Sequence, residues 1–89
     1  MGGIIMIMQP TIYSFNAIKE KLHNDEGHHG SVAHVVELVA NDGQDLEVWY
    51  HTLAKRYEVC VGLDEDWVLE TKSWNSVKRK LRQLNVEAL

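Results

Sequence analysis

A single cysteine, Cys60, among 89 residues excludes an internal disulfide framework, and a lone thiol fits a reducing compartment, here read as the cytoplasm. A single proline, Pro10, separates a short apolar lead, Met1 to Met8, from everything after it. That lead is far below the ~20 apolar residues of a membrane span and lacks the basic flank of a secretory signal. Residues 1–9 therefore read as an extra edge strand, Ile4 to Met8, or as a non-native extension, since Met6 and Met8 are possible internal starts. There is no glycine-rich phosphate loop, no nucleophile elbow, no repeated pair of zinc ligands and no calcium-loop spacing. The chain accordingly reads as non-catalytic, with no cofactor.

Positive charge is scarce over most of the length. Residues 1–71 hold four Lys/Arg (Lys19, Lys21, Lys55, Arg56) against twelve Asp/Glu, whereas residues 72–89 hold five against Glu87 alone. The net charge of −4 conceals this polarity. A chain acidic overall is a poor non-specific nucleic-acid binder, although a local basic helix can still meet phosphates. The alternative is internal: basic side chains lying over acidic loops.

What is present is ordinary for a folded domain, with 45% hydrophobic and 25% charged residues, and the length suits one domain over residues 1–89. The clearest element is Ser73 to Asn85. At ~100° per residue, Trp74, Val77, Leu81, Leu84 and Ala88 fall within roughly one 80° sector of a helix. Lys78, Arg79 and Arg82 share one flank, Lys80 lies on the other, and Ser73 is the N-cap. Ser14 opens a shorter helix to about Leu22, with Phe15, Ile18 and Leu22 on one face.

Between the helices the pattern is strand-like. Val32 to Ala40 is rich in β-branched residues and apolar at successive positions, the pattern of a central strand. Asp42-Gly43 then signals a hairpin of the type I′ kind. Residues 46–56 satisfy both a strand and a helical period, and the Asp-Gly turn with the Val48-Trp49-Tyr50 run favours the strand, its connection being Thr52 to Lys55. Leu46, Val48 and Tyr50 face one way and Glu47, Trp49 and His51 the other. Tyr57, Val59, Val61 and Leu63 alternate with Glu58, Cys60 and Gly62 as an amphipathic strand. After the acidic turn Asp64-Glu65-Asp66, Trp67, Leu69 and Thr71 alternate with Val68, Glu70 and Lys72. The expected fold is α+β, two-layered: a short N-terminal helix, a three- to four-stranded antiparallel meander, and a C-terminal amphipathic helix on one sheet face. The α-β-β-β-α order is similar, as topology alone, to the double-stranded-RNA-binding domain, but that family's basic loop and helix-start lysines have no counterpart here.

Three surfaces invite function. Four of the five histidines, His23, His28, His29 and His34, lie in loop 23–34 with Asp25 and Glu26, a composition suited to metal or pH sensing. Adjacent ligands such as His28 and His29 project in different directions, so no metal site is assigned and a solvated loop is the plainer reading. Lys72, Lys78, Arg79, Lys80 and Arg82 form a candidate nucleic-acid-binding flank. Trp67 and Trp74 are expected to pack between strand and helix, leaving Trp49 as the exposed tryptophan. Val35, Val39, Trp49 and Cys60 would then form an apolar patch on the second sheet face, beside Glu47. The leading expectation is a small protein-interaction module, a regulator or inhibitor, that binds a protein partner or itself as a homodimer through Trp49, Glu47, Val35 and Val39.

Overall fold

The computed structural model describes residues 13–24, 33–62 and 66–89. The N-terminal lead, the middle of the histidine loop and the tip of the acidic turn lie outside them. The order is α1 (Phe15–His23), β1 (Ala33–Val39), β2 (Asp45–His51), β3 (Arg56–Val61), β4 (Asp66–Thr71) and α2 (Trp74–Gln83). The strands form one antiparallel sheet in the order β1-β2-β3-β4. This is the expected α+β meander with four strands. No helix among the described residues is long and apolar enough to cross a membrane.

Both helices start where a hydroxyl can take an orphan amide. The Ser14 hydroxyl accepts from the Ala17 N–H at 3.2 Å, and that of Ser73 from the Ser76 N–H at 3.3 Å. Phe15, Ile18 and Leu22 of α1 and Val77 and Leu81 of α2 are buried, and together with Val36, Leu38, Leu46, Val48, Tyr57 and Val59 they make the core. α1 lies over β1 and β2, and α2 over β3 and β4, so both cover the same sheet face.

α2 ends earlier than its apolar sector suggests. Asn85 adopts φ 66°, in the left-handed region. The Asn85 N–H donates to the Arg82 carbonyl and the Val86 N–H to the Leu81 carbonyl, at 3.1 and 2.9 Å. This is a Schellman stop, completed by the apolar pair Val86 and Leu81, both buried. Ala88 consequently leaves the helix and pairs with Tyr13 in a parallel bridge, with Phe15 N–H donating to the Leu89 carbonyl at 2.9 Å.

Four further expectations are corrected. β1 is an edge strand among the described residues, and its burial alternates, with Val35, Glu37 and Val39 exposed. The strand buried on both faces is β3, where Tyr57, Glu58, Val59 and Cys60 are all buried. The β1–β2 turn is not type I′. Ala40 and Gln44 bracket a three-residue loop in which Gly43 alone has positive φ, +87°, so that a type I turn ends in a left-handed glycine. Finally, a bulge in the β3–β4 ladder sets Val59 opposite Leu69 but Cys60 opposite Trp67, leaving Val68 as the extra residue. Leu69 and Thr71 stay on the helix face, while Trp67 is turned to the other.

Candidate functional site

The sheet face away from the helices is built by register. Across it run the rows Val35–Trp49–Glu58–Glu70, Ala33–His51–Arg56 and Glu37–Glu47–Cys60–Trp67. No helix or strand among the described residues covers it. The four-residue turn Thr52 to Lys55, with Lys55 at φ 53°, places His51 opposite Arg56 and so fixes Trp49 against Glu58.

Glu58 is the hub. Its side chain is about 11% exposed, and each carboxylate oxygen has a partner: Arg56 Nη2 lies 3.2 Å from Oε1 and His51 Nε2 lies 3.0 Å from Oε2. The second Arg56 amino group reaches Glu70 Oε1 at 3.0 Å, so one guanidinium ties β3 to β4. Trp49 stacks on His51 at 6.4 Å between ring centroids and meets Trp67 edge-on at 6.1 Å. Among the described residues the Trp49 indole N–H, His51 Nε2 and Arg56 Nε are buried without a hydrogen-bond partner, His51 Nε2 lying close to Glu58 without hydrogen-bond geometry.

The predicted residues are brought together only in part. Val35 sits directly beside Trp49, and Glu47 is two positions from Trp49 along the same face. Val39 is exposed but lies at the end of β1, paired with Asp45, away from the tryptophans. Cys60 is 1% exposed and contributes no surface. Trp49 is half-buried, and the exposed tryptophan is Trp67, at 54%. The bulge that exposes Trp67 has no sequence signal. The Arg56–Glu58 network does have one, since a four-residue connection with His51 opposite Arg56 puts those side chains on the Trp49 face.

The basic flank of α2 is on the opposite side of the domain. Arg82 is drawn over the Phe15 ring of α1, 5.0 Å from its centroid, while Arg79 and Lys80 line one shallow groove with Leu69, Ser76 and Gln83. Arg79 and Lys80 thus work together, rather than on separate flanks. No ion pair among the described residues reaches Lys72, Lys78, Arg79, Lys80 or Arg82.

The two described histidines of loop 23–34 are structural partners of α1. His34 Nδ1 donates to the Leu22 carbonyl at 2.6 Å, holding the last turn of the helix to β1. His23 packs against Tyr50 with the rings tilted by 37° and 4.1 Å between centroids, and shares a 2.5 Å hydrogen bond with the Tyr57 hydroxyl. Partial burial lowers the His23 pKa, helped by Lys19 and His34, while burial followed by Tyr50 raises that of Tyr57. Both shifts favour the Tyr57 O–H donating to a neutral imidazole. The described residues include no group of three or more His, Cys, Asp or Glu placed to hold a metal, and His28 and His29 lie outside them. No protein-family model, curated protein or solved structure matches the chain.

Proposed function

We propose that the chain is a non-catalytic protein-interaction module whose open sheet face engages a cationic segment of a protein partner. One observation carries this reading: Trp67 and Trp49 meet edge to face beside the carboxylates of Glu58 and Glu70, on a face that no described helix or strand covers. Aromatic faces attract ammonium and guanidinium groups, and the exposed Glu70 carboxylate adds charge-assisted hydrogen bonds, that of Glu58 being buried against Arg56. Glu37, Asp45, Glu47, Glu58 and Glu70 share the face with one guanidinium, that of Arg56, which disfavours a phosphate backbone there. Val35 beside Trp49 supplies apolar area for the rest of the contact. A regulator or inhibitor working by occupancy in a reducing cytoplasm is the corresponding biological role.

The test uses a labelled arginine-rich peptide as probe, titrated at fixed moderate salt. Trp67→Ala should leave the protein folded but lower its melting temperature by roughly 4–8 °C, because it loses the edge-on contact with Trp49, worth about 1 kcal/mol. It should weaken peptide binding roughly tenfold, equivalent to about 1.4 kcal/mol and within the range of a partly desolvated cation–π contact. Equal affinity for wild type and Trp67→Ala would overturn the reading.

A second reading rests on a different observation, the absence of acidic partners for Lys72, Lys78, Arg79, Lys80 and Arg82 among the described residues. It makes α2 a phosphate-contacting surface for nucleic acid. Anisotropy of labelled duplex DNA and RNA at about 50 and 200 mM salt decides it, since phosphate contacts weaken steeply over that range. No binding at the lower salt removes it.

A further inference from the structure

We infer that the cationic partner of the open sheet face is the α2 surface of a second copy of this chain, docked head to tail. The inference rests on the reading of the sheet face given above and names its occupant. The two layers of the domain carry opposite charge. The open face presents Glu37, Asp45, Glu47 and Glu70 against Arg56, whose charge the buried Glu58 already balances, whereas α2 contains Lys78, Arg79, Lys80 and Arg82 and no acid. Arg79 and Lys80 point into the groove beside Leu69, and Lys72 lies exposed just ahead of the helix.

A symmetric pairing of two sheet faces would set these carboxylates against one another, and a symmetric pairing of two α2 surfaces would do the same with cations. Only the heterologous arrangement, sheet face of one copy on α2 of the next, matches unlike charge. It also brings lysine and arginine side chains to Trp67 and Trp49. The dimensions agree. A ten-residue helix is about 15 Å long at ~1.5 Å per residue, and four strands at ~4.8 Å spacing span about the same width from first to last.

Such a contact leaves one sheet face and one α2 free at its two ends. Assembly therefore grows without stopping at two unless rotation closes a ring. The paired area is small. Four strands of about six residues offer on the order of 400 Å² each way, below the ~1,200 Å² total of a stable interface, so the association is weak and salt-sensitive.

Sedimentation of the full chain at rising concentration, in about 10 mM and about 500 mM salt, reads this directly. The weight-average mass should climb beyond twice the monomer's 10.2 kDa at low salt and return to it at high salt. Two blocked variants sharpen the test. Lys78→Glu with Arg79→Glu disables the helix surface, and Glu37→Lys with Asp45→Lys disables the sheet face. Each alone should be monomeric, and an equimolar mixture should associate again, because the native pair of surfaces and the doubly reversed pair are both of unlike charge. The neutral versions, Lys78→Gln with Arg79→Gln and Glu37→Gln with Asp45→Gln, leave only one compatible pair in their mixture, which should stop at a heterodimer, and they serve as the blocked variants should either charge reversal prevent folding.

A wild type that stays monomeric throughout overturns the inference. So does a dimer that persists in either blocked variant, or a mixture that fails to associate. The arginine-rich peptide separates this failure from that of the sheet-face reading. A monomeric wild type that binds the peptide through Trp67 loses only the self-assembly, whereas one that binds neither loses both.

Discussion

Removing the Glu58 carboxylate alone should harm the protein more than removing it together with Arg56. In Glu58→Met, the guanidinium keeps Glu70 as its only anion among the described residues, and His51 loses its neighbour at 3.0 Å. The unscreened scale of the Arg56–Glu58 attraction at 3.2 Å is about 5 kcal/mol for an effective dielectric of about 20. That scale must be discounted, because the Arg56 side chain is 37% exposed and water screens it, and because both ions were desolvated on folding. A coupling of about 1 to 2 kcal/mol remains, above the usual surface pair because Glu58 itself is buried. Glu58→Met should therefore cost about 2 kcal/mol, or roughly 8–15 °C in melting temperature for a domain of this size. Arg56→Met with Glu58→Met should return to within about 1 kcal/mol of wild type, since two apolar side chains on this face leave no stranded charge. Urea unfolding of wild type, both single variants and the double variant closes the cycle. Additive effects, with a coupling below about 0.3 kcal/mol, would refute the claim that this network organises the face.

Other perturbations probe separate parts of the argument. Asn85→Gly should unfold within about 0.5 kcal/mol of wild type, because glycine accepts the φ of 66°, while Asn85→Ala should lose about 1 kcal/mol through left-handed strain and the lost contact to Asp42. Leu81→Ala, at a site with no exposed surface in the core under α2, should cost about 2–5 kcal/mol by urea unfolding. His23 has a folded pKa below its unfolded value, so the fold binds fewer protons than the unfolded chain. The contribution of His23 is complete above about pH 6.5 and is lost as pH falls through the lowered folded pKa. Stability measured from pH 7 downward should fall less steeply in His23→Gln than in wild type, and parallel curves would contradict the assignment.

The parts of this fold legible in the sequence are those where one local signal meets no competitor. Ser14 and Ser73 precede apolar 3.6-residue periods, and the structure starts both helices there. The strand reading of residues 46–51 prevailed over a helical period because Leu46 and Val48 find the core as alternate residues of β2, paired on both sides. Legibility ends where tertiary context overrides the local pattern. Val32 to Ala40 has the composition of a central strand, yet Val35 and Val39 are exposed because β1 is an edge among the described residues. Conversely, Glu58 and Cys60 alternate like surface residues but are buried, because β3 has a strand on each side and Trp49 and Trp67 crowd its outer face.

The candidate site was hidden by a single inserted residue. Without the bulge, Trp67 would follow Leu69 and Thr71 under α2, and the outer face would present Trp49 among ion pairs. The bulge reverses Trp67 alone, because a one-residue shift exchanges the two faces of a strand. Nothing in Asp66-Trp67-Val68-Leu69 announces that shift, since each of the four is compatible with an unbroken strand. Exposing a tryptophan at 54% runs against the hydrophobic effect, and the core could have taken it instead. Trp74 packs against Tyr57 at 5.3 Å between ring centroids, in the row of Thr71, whereas an unbroken ladder would set Trp67 opposite Val61, four residues or roughly 13 Å further along the strand. The two tryptophans therefore do not contend for one place, and the bulge itself holds Trp67 out. Trp74→Ala should accordingly lower stability by about 3 kcal/mol by urea unfolding and leave arginine-peptide binding unchanged. A loss of affinity in step with the loss of stability would show instead that the packing under α2 keeps Trp67 on the outer face.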